Sequence, residues 1–175
     1  MCLLNIVDEN NAMGAVQITY REIKSVFGVI PTGFKLWSIE PDMLQHHWED
    51  VKQSLSQDAE MQKFNAIMRY LISEIEGCDY CVGFNSGLLI NVFGMTQEEL
   101  FNMAREPQSA PLSDIQKAHL LFALKVVNEP KNINSSDVDK LRALNMSDQE
   151  IFQLAHKSAK LAMTDMLLTA FKVQD

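Results

Sequence analysis

The sequence predicts an all-α protein. Apolar residues recur at spacings of three and four, helix-capping signatures open several of these stretches, and no strand-like alternation persists beyond a few residues. Glycine and proline fall at the boundaries between periodic segments. With 175 residues, 47% of them apolar, the chain can bury a sizeable core and reads as one all-α domain over 1–175.

Taken in order, Tyr20 to Phe27 forms a short amphipathic helix, stopped by Gly28 and Pro31. Pro41 suits the first turn of a helix running to about Leu55. Met61, Phe64, Met68, Leu71 and Ile75 then make a helical stripe, and the methionines in it read as core filling. Gly77 ends that helix, and another begins at about Cys78 and stops before Gly94. Thr96 with Glu99, and Ser113 with Gln116, are capping boxes for the next two helices. The first of these reaches Ala104, and the second contains "AHLLFALKVV". Ser136 or its neighbour caps a short helix through Leu144, and Ser147 with Glu150 opens a long last helix. Within it, "LAMTDMLLTAF" is apolar on nearly every side except at Thr164 and Asp165, which points to burial partly between subunits or to a central helix of a monomer.

A net charge of −8 and the lack of any basic cluster argue against nucleic acid as a partner. The start, MCLLNIVDENN, has no basic region and too short an apolar run for a signal peptide. No stretch of about 18 uncharged apolar residues suggests a membrane span. A cytoplasmic location follows as the expectation.

The three cysteines, Cys2, Cys78 and Cys81, are too few for a disulfide scaffold. In a reducing compartment, C-x-x-C is more often redox-active or metal-binding. Cys78 and Cys81 fall at a helix start, where unpaired N–H groups and the helix dipole lower a thiol pKa. Their offset allows a disulfide, or resolution of a sulfenic acid. Asn85 follows Cys81 by one turn, with Leu89 and Val92 expected below it, so the pair should stand at the mouth of an apolar crevice. Two core cysteines would have the same spacing. A zinc site would need two more ligands, and neither a second C-x-x-C nor H-x3-H is present, so no metal is expected. His46 and His47 face different directions on one helix, and His119 and His156 read as hydrogen-bonded core or interface residues.

Read together, "REIKSVFGVIPTGFKLWSIEPDMLQHHWEDV", the C-x-Y-C from Cys78 through Tyr80 to Cys81, "APLSDIQKAHLLFALKVV" and "DVDKLRALNMSDQEI" resemble the carboxymuconolactone decarboxylase and AhpD-like superfamily. The resemblance is to its peroxidase-related branch and covers about Tyr20 to Val173. It implies an all-α fold with the cysteines at the start of a central helix, and a homo-oligomer. Active members of that family place a glutamate twelve residues before the first cysteine and a histidine four after the second, which relay a proton to the pair. Those positions are Ala66 and Asn85 here. An asparagine amide does not ionise near neutral pH and cannot serve as a general base. Glu74, four residues before Cys78, could substitute if the turn at Gly77 folds it toward the sulfurs, or else it is a solvated helix-end residue.

The resemblance implies a thiol oxidoreductase reducing hydroperoxides through Cys78 and Cys81, with an external dithiol reductant and no bound cofactor, and with weak activity because the relay groups are missing. By analogy with the family relay, Cys81 attacks the peroxide. Cys78, at the more exposed helix start, resolves the sulfenic acid and receives the electrons. Two other readings stand beside it: a non-catalytic or redox-sensing homologue, and a cofactor-free decarboxylase or lyase on the same fold.

Overall fold

The computed structural model describes residues 2–174, whose regular structure is all helical, with no strand among them. The α-helices are α1 (Gly14–Phe27), α2 (Thr32–Trp37), α3 (Pro41–Leu55), α4 (Ala59–Glu76), α5 (Asp79–Asn91), α6 (Gln97–Arg105), α7 (Asp114–Asn128), α8 (Ser135–Ala143) and α9 (Asp148–Ala170). One short 3-10 turn, Glu9–Asn11, precedes α1, and two more fill the connections from α6 to α7 and from α7 to α8. The chain forms two compact units, one from Met1–Gln62 with Leu167–Asp175 and the other from Lys63–Met166.

In the first unit, α1 is longer than the stretch from Tyr20 that its sequence suggested. Val16, Thr19, Tyr20 and Ile23 continue one buried stripe back through its N-terminal half. Gly28 closes the helix at φ 77°, a left-handed conformation that glycine adopts without a Cβ penalty. Helix α2 was not anticipated, because six residues between Pro31 and Ile39 carry too little periodicity to register. Its Phe34 stands 5.9 Å from Trp48 in an edge-to-face pair, and Phe27 flanks the same indole at 6.2 Å. Trp48 donates its Nε1–H to Glu22 at 2.7 Å, so this core leaves the indole nitrogen satisfied.

The second unit holds the larger core. Along α4, Phe64, Ala66, Ile67, Met68, Leu71 and Ile72 are buried with Leu89, Leu100, Met103, Leu120, Ala123 and Ala162. Met61 and Ile75, the outer members of the expected stripe, are exposed. The capping boxes at Thr96–Glu99 and Ser113–Gln116 are formed as expected. Ser147 and Glu150 also exchange both bonds, with Ser147 N–H donating to the Glu150 carboxylate at 2.8 Å. The cap of α8 is Asn134 rather than Ser136; its side chain accepts from the Ser136 N–H at 3.0 Å and leaves Ser135 as the first helical residue.

Helix α9 sorts its residues by face. Ile151, Ser158, Ala162 and Asp165 are buried, while Phe152, His156, Ala159, Met163 and Met166 recur at intervals of four and three along an exposed side. No helix among the described residues is long and apolar enough to cross a membrane.

Candidate active site

The site is built around the junction of α4 and α5. Gly77, at φ 65°, turns the chain out of α4. The Cys78 N–H then reaches back to the Ser73 carbonyl at 3.1 Å, closing a Schellman turn. Cys78 is also the N-cap of α5, and its Sγ accepts the Cys81 N–H at 3.3 Å. One residue therefore ends one helix with its backbone and begins the next with its side chain. This double constraint fixes the sulfur against the positive end of α5, where a thiolate is stabilised.

The sulfurs of Cys78 and Cys81 are joined as a disulfide, with Cα atoms 5.2 Å apart. Cys78 is 2% exposed and Cys81 is 4% exposed. The expectation that Cys78 is the more open of the two is thus corrected. The capping role draws its sulfur inward under the turn at Gly77. Both cysteines are thus nearly covered within the second unit. Val92 does not lie below Asn85 as expected; it is exposed at the C-cap of α5, while Leu89 is buried.

Asn85 is buried and donates its Nδ2–H to the Cys81 carbonyl at 2.9 Å and to Ser73 Oγ at 3.4 Å. It ties α5 to α4 beside the pair and offers no ionisable group. Ala66 is fully buried. Glu74 is exposed and its carboxylate faces the Tyr70 hydroxyl, whose pKa is raised well above its ordinary value by burial first and by Glu74 second. Glu74 therefore points to Tyr70. His46 is exposed, and His47 stacks on Trp37 at 4.8 Å. His156 stacks on Phe152 at 6.2 Å on the exposed side of α9. His119 is half-buried, its Nε2 has no hydrogen-bond partner, and burial lowers its pKa.

One further residue stands beside the cysteines, brought there from α9. A carboxylate oxygen of Asp165 and the two Sγ atoms all lie within 4.8 Å of one another. Asp165 is 6% exposed, and its Oδ2 is buried without a hydrogen-bond partner. Burial pushes its pKa up to about 7; the Ser73 hydroxyl pulls it down and the Glu76 charge adds to the rise. The signal available in the sequence was an acid inside "LAMTDMLLTAF", a helix otherwise apolar. An isolated carboxyl in such a stretch must find either solvent or a reason to be buried.

These three side chains are the only grouping of potential metal-binding side chains among the described residues. They do not fit a resident metal. Sulfurs joined to each other offer no thiolate, and even the reduced pair with one carboxylate is one ligand short of a closed tetrahedral zinc site.

No family model and no curated protein matches the chain. Solved structures do. An uncharacterised peroxidase-related protein from Ralstonia eutropha JMP134, described as an alkylhydroperoxidase AhpD core, superimposes with a TM-score of 0.81 at 17% identity. The match covers 99% of this chain and 91% of that one. An uncharacterised peroxidase-related protein from Silicibacter sp. TM1040 gives the same TM-score and coverage at 19% identity. The fold is that of the AhpD core. The AhpD-like fold expected from the sequence is thus the one observed, with its C-x-x-C at the start of α5. At these identities the likeness extends to the fold, and the chemistry rests on this chain's own residues.

Proposed function

We propose that this AhpD-like protein is a thiol–disulfide oxidoreductase that reduces hydroperoxides through Cys78 and Cys81, using electrons from an external dithiol. The observation that carries the reading is the cysteine pair, joined at the N-terminus of α5 with one sulfur serving as the helix cap. Cys81 attacks the peroxide as a thiolate, giving a sulfenic acid and an alcohol or water. Cys78 then attacks the Cys81 sulfur, releasing water and forming the disulfide. Exposure no longer distinguishes the two cysteines. The reason for assigning Cys78 to resolution is the N–H accepted by its sulfur, which stabilises the thiolate once the proton leaves. A cytoplasmic setting agrees with this cycle, since it supplies dithiols. No resident cofactor takes part.

Steady-state peroxide consumption with several dithiols, together with thiol counting, tests the proposal. We expect turnover that depends on the dithiol, and mild oxidation that removes two of the three thiols and leaves Cys2 free. A redox-sensing role is favoured by one observation, the near-complete burial of both sulfurs. That role would show as a reversible disulfide without turnover.

The same proposal includes self-association through the exposed side of α9. Phe152, Met163 and Met166 are 70%, 42% and 56% exposed there, an apolar row that a second copy would cover. Light scattering at micromolar concentration should give a multiple of 19.8 kDa. Met166→Lys should lower that mass while leaving the helix content unchanged, because the side chain is outside the core. A monomeric wild type would count against the assembly.

A further inference from the structure

We propose that Asp165 is the proton acceptor and donor of the Cys78–Cys81 pair, a carboxyl supplied by the last helix where the pair's own helix offers only an amide. The inference rests on the redox reading above and adds the group that moves the protons.

Three observations converge on it. The Asp165 carboxylate and both sulfurs lie within 4.8 Å of one another, a separation that one small side-chain shift or one water spans. Its Oδ2 is buried and unpartnered, which costs stability unless the oxygen has work in another state of the protein. The groups facing it are few. From α4 come the Ser73 hydroxyl and the Glu76 charge, and from the start of α5 the two sulfurs. On α9 itself, the residues one turn away are Leu161, Ala162, Leu168 and Thr169, none of them charged. No cation among the described residues neutralises the carboxyl, so burial keeps it exchangeable near neutral pH.

Ser73 belongs to the same arrangement. Its Oγ donates to the Arg69 carbonyl at 2.8 Å, accepts from Asn85 at 3.4 Å and lies within hydrogen-bonding reach of Asp165. Its single proton can turn to the carboxylate when that ionises, while Asn85 holds the oxygen in place. Asn85 is therefore a positioning residue, and the ionisable duty falls to Asp165.

The proton accounting closes over the cycle. Asp165 as carboxylate takes the Cys81 thiol proton, and the thiolate attacks the distal peroxide oxygen. The S–O bond forms, the O–O bond breaks, and the departing alkoxide takes the proton from Asp165. The products are Cys81 sulfenic acid, an alcohol and the carboxylate. Asp165 next takes the Cys78 proton, Cys78 attacks Cys81, and the hydroxide leaves as water with that same proton. In the reducing half, one thiolate of the external dithiol attacks the disulfide. Asp165, carrying the proton given up by that attacking thiol, protonates the departing sulfur, and the second thiol of the reductant then displaces the mixed disulfide, its own proton passing to the second cysteine sulfur. The external dithiol is oxidised and both cysteines are reduced.

The experiment measures reduction of the disulfide by dithiothreitol across pH in the full-length wild type, Asp165→Asn and Asp165→Glu, expressed per attacking thiolate. The wild-type rate should fall as pH passes neutrality, when Asp165 loses the proton it donates. Asp165→Asn should be slower by about 10²-fold or more and lack that break, the range for removing a general acid. Asp165→Glu should keep the break and recover part of the rate, which a merely structural residue would not do. If folded Asp165→Asn reacts as fast as wild type with the same break, the proposal is overturned. If Asp165→Asn does not fold, the wild type decides: a break near neutrality, with an infrared carbonyl band titrating alongside it, supports the proposal, and a featureless profile overturns it. Peroxide consumption is read in parallel. A wild type that shows the break but consumes no peroxide removes the peroxidase reading and leaves the Asp165 assignment standing, so the two failures separate.

Discussion

Cys81→Ser should abolish dithiol-driven peroxide consumption, lowering the rate by about 10³-fold or more, because a serine hydroxyl near neutral pH is no substitute for a thiolate. Cys78→Ser should fail differently. Its first turnover proceeds to the Cys81 sulfenic acid and stops there for want of a resolving thiol, so dimedone should label one residue per chain. The stability cost of either change should be modest. Closing so short a loop constrains the unfolded chain by only about 2 kcal/mol in the chain-entropy picture. Serine is moreover a good N-cap, so Cys78→Ser preserves the bond to the Cys81 N–H that starts α5. A large activity loss with a small shift in Tm is thus the expected signature of a redox pair. Peroxide turnover that survives in both variants would sink the peroxidase reading. If both cysteines can be replaced and activity on another substrate persists, the site is a lyase site.

The second large effect concerns stability and pH. Asp165 carries a carboxyl raised from 3.8 to about 7 in the oxidised fold. Between those values the folded protein holds a proton that the unfolded chain has released. Stability contributed by this group is therefore complete below about pH 4, declines as pH rises and levels off above about pH 7. The total is on the order of 4 kcal/mol, a large part of the usual stability of a domain. Asp165→Asn removes the ionisation while keeping the shape. Denaturant melts should find the variant close to wild type at pH 4 and more stable at pH 8. The carboxylates of Asp137 and Asp148, held below their ordinary values by Lys125 and Arg142, act at lower pH and in the opposite sense. They are common to both proteins and cancel in the difference. Equal stability curves for the two proteins would show that burial does not perturb this carboxyl.

On the proposed reading, a carboxyl beside the cysteines that favours the fold only when protonated is a cost retained for chemistry rather than for packing. An apolar residue at 165 would fill the same space without an unpaired oxygen. Ala66 makes the complementary point. It is fully enclosed in the core, so a glutamate there would need room and a partner that the surrounding apolar side chains do not supply.

By itself the sequence determined the helical class, the caps at Thr96, Ser113 and Ser147, the break at Gly77 and the placement of two cysteines at a helix start. These are local matters: a capping box lies within four residues, and an apolar stripe within a few turns. The family resemblance read from the sequence implies that Ala66 and Asn85 stand where relay groups would be expected. Short α2 and the first half of α1 were lost because their stripes were brief or unflanked by strong stop signals. The burial of Cys78 and the outward turn of Val92 depend on how α5 sits in its core, which periodicity does not report. Asp165 is the clearest case. It lies 84 residues from Cys81 in the chain. Only the packing of α9 against the start of α5 brings its carboxyl within 4.8 Å of the sulfurs. Sequence spacing encodes contacts along one helix; a carboxyl delivered from another helix becomes visible only when the tertiary structure sets the two side by side.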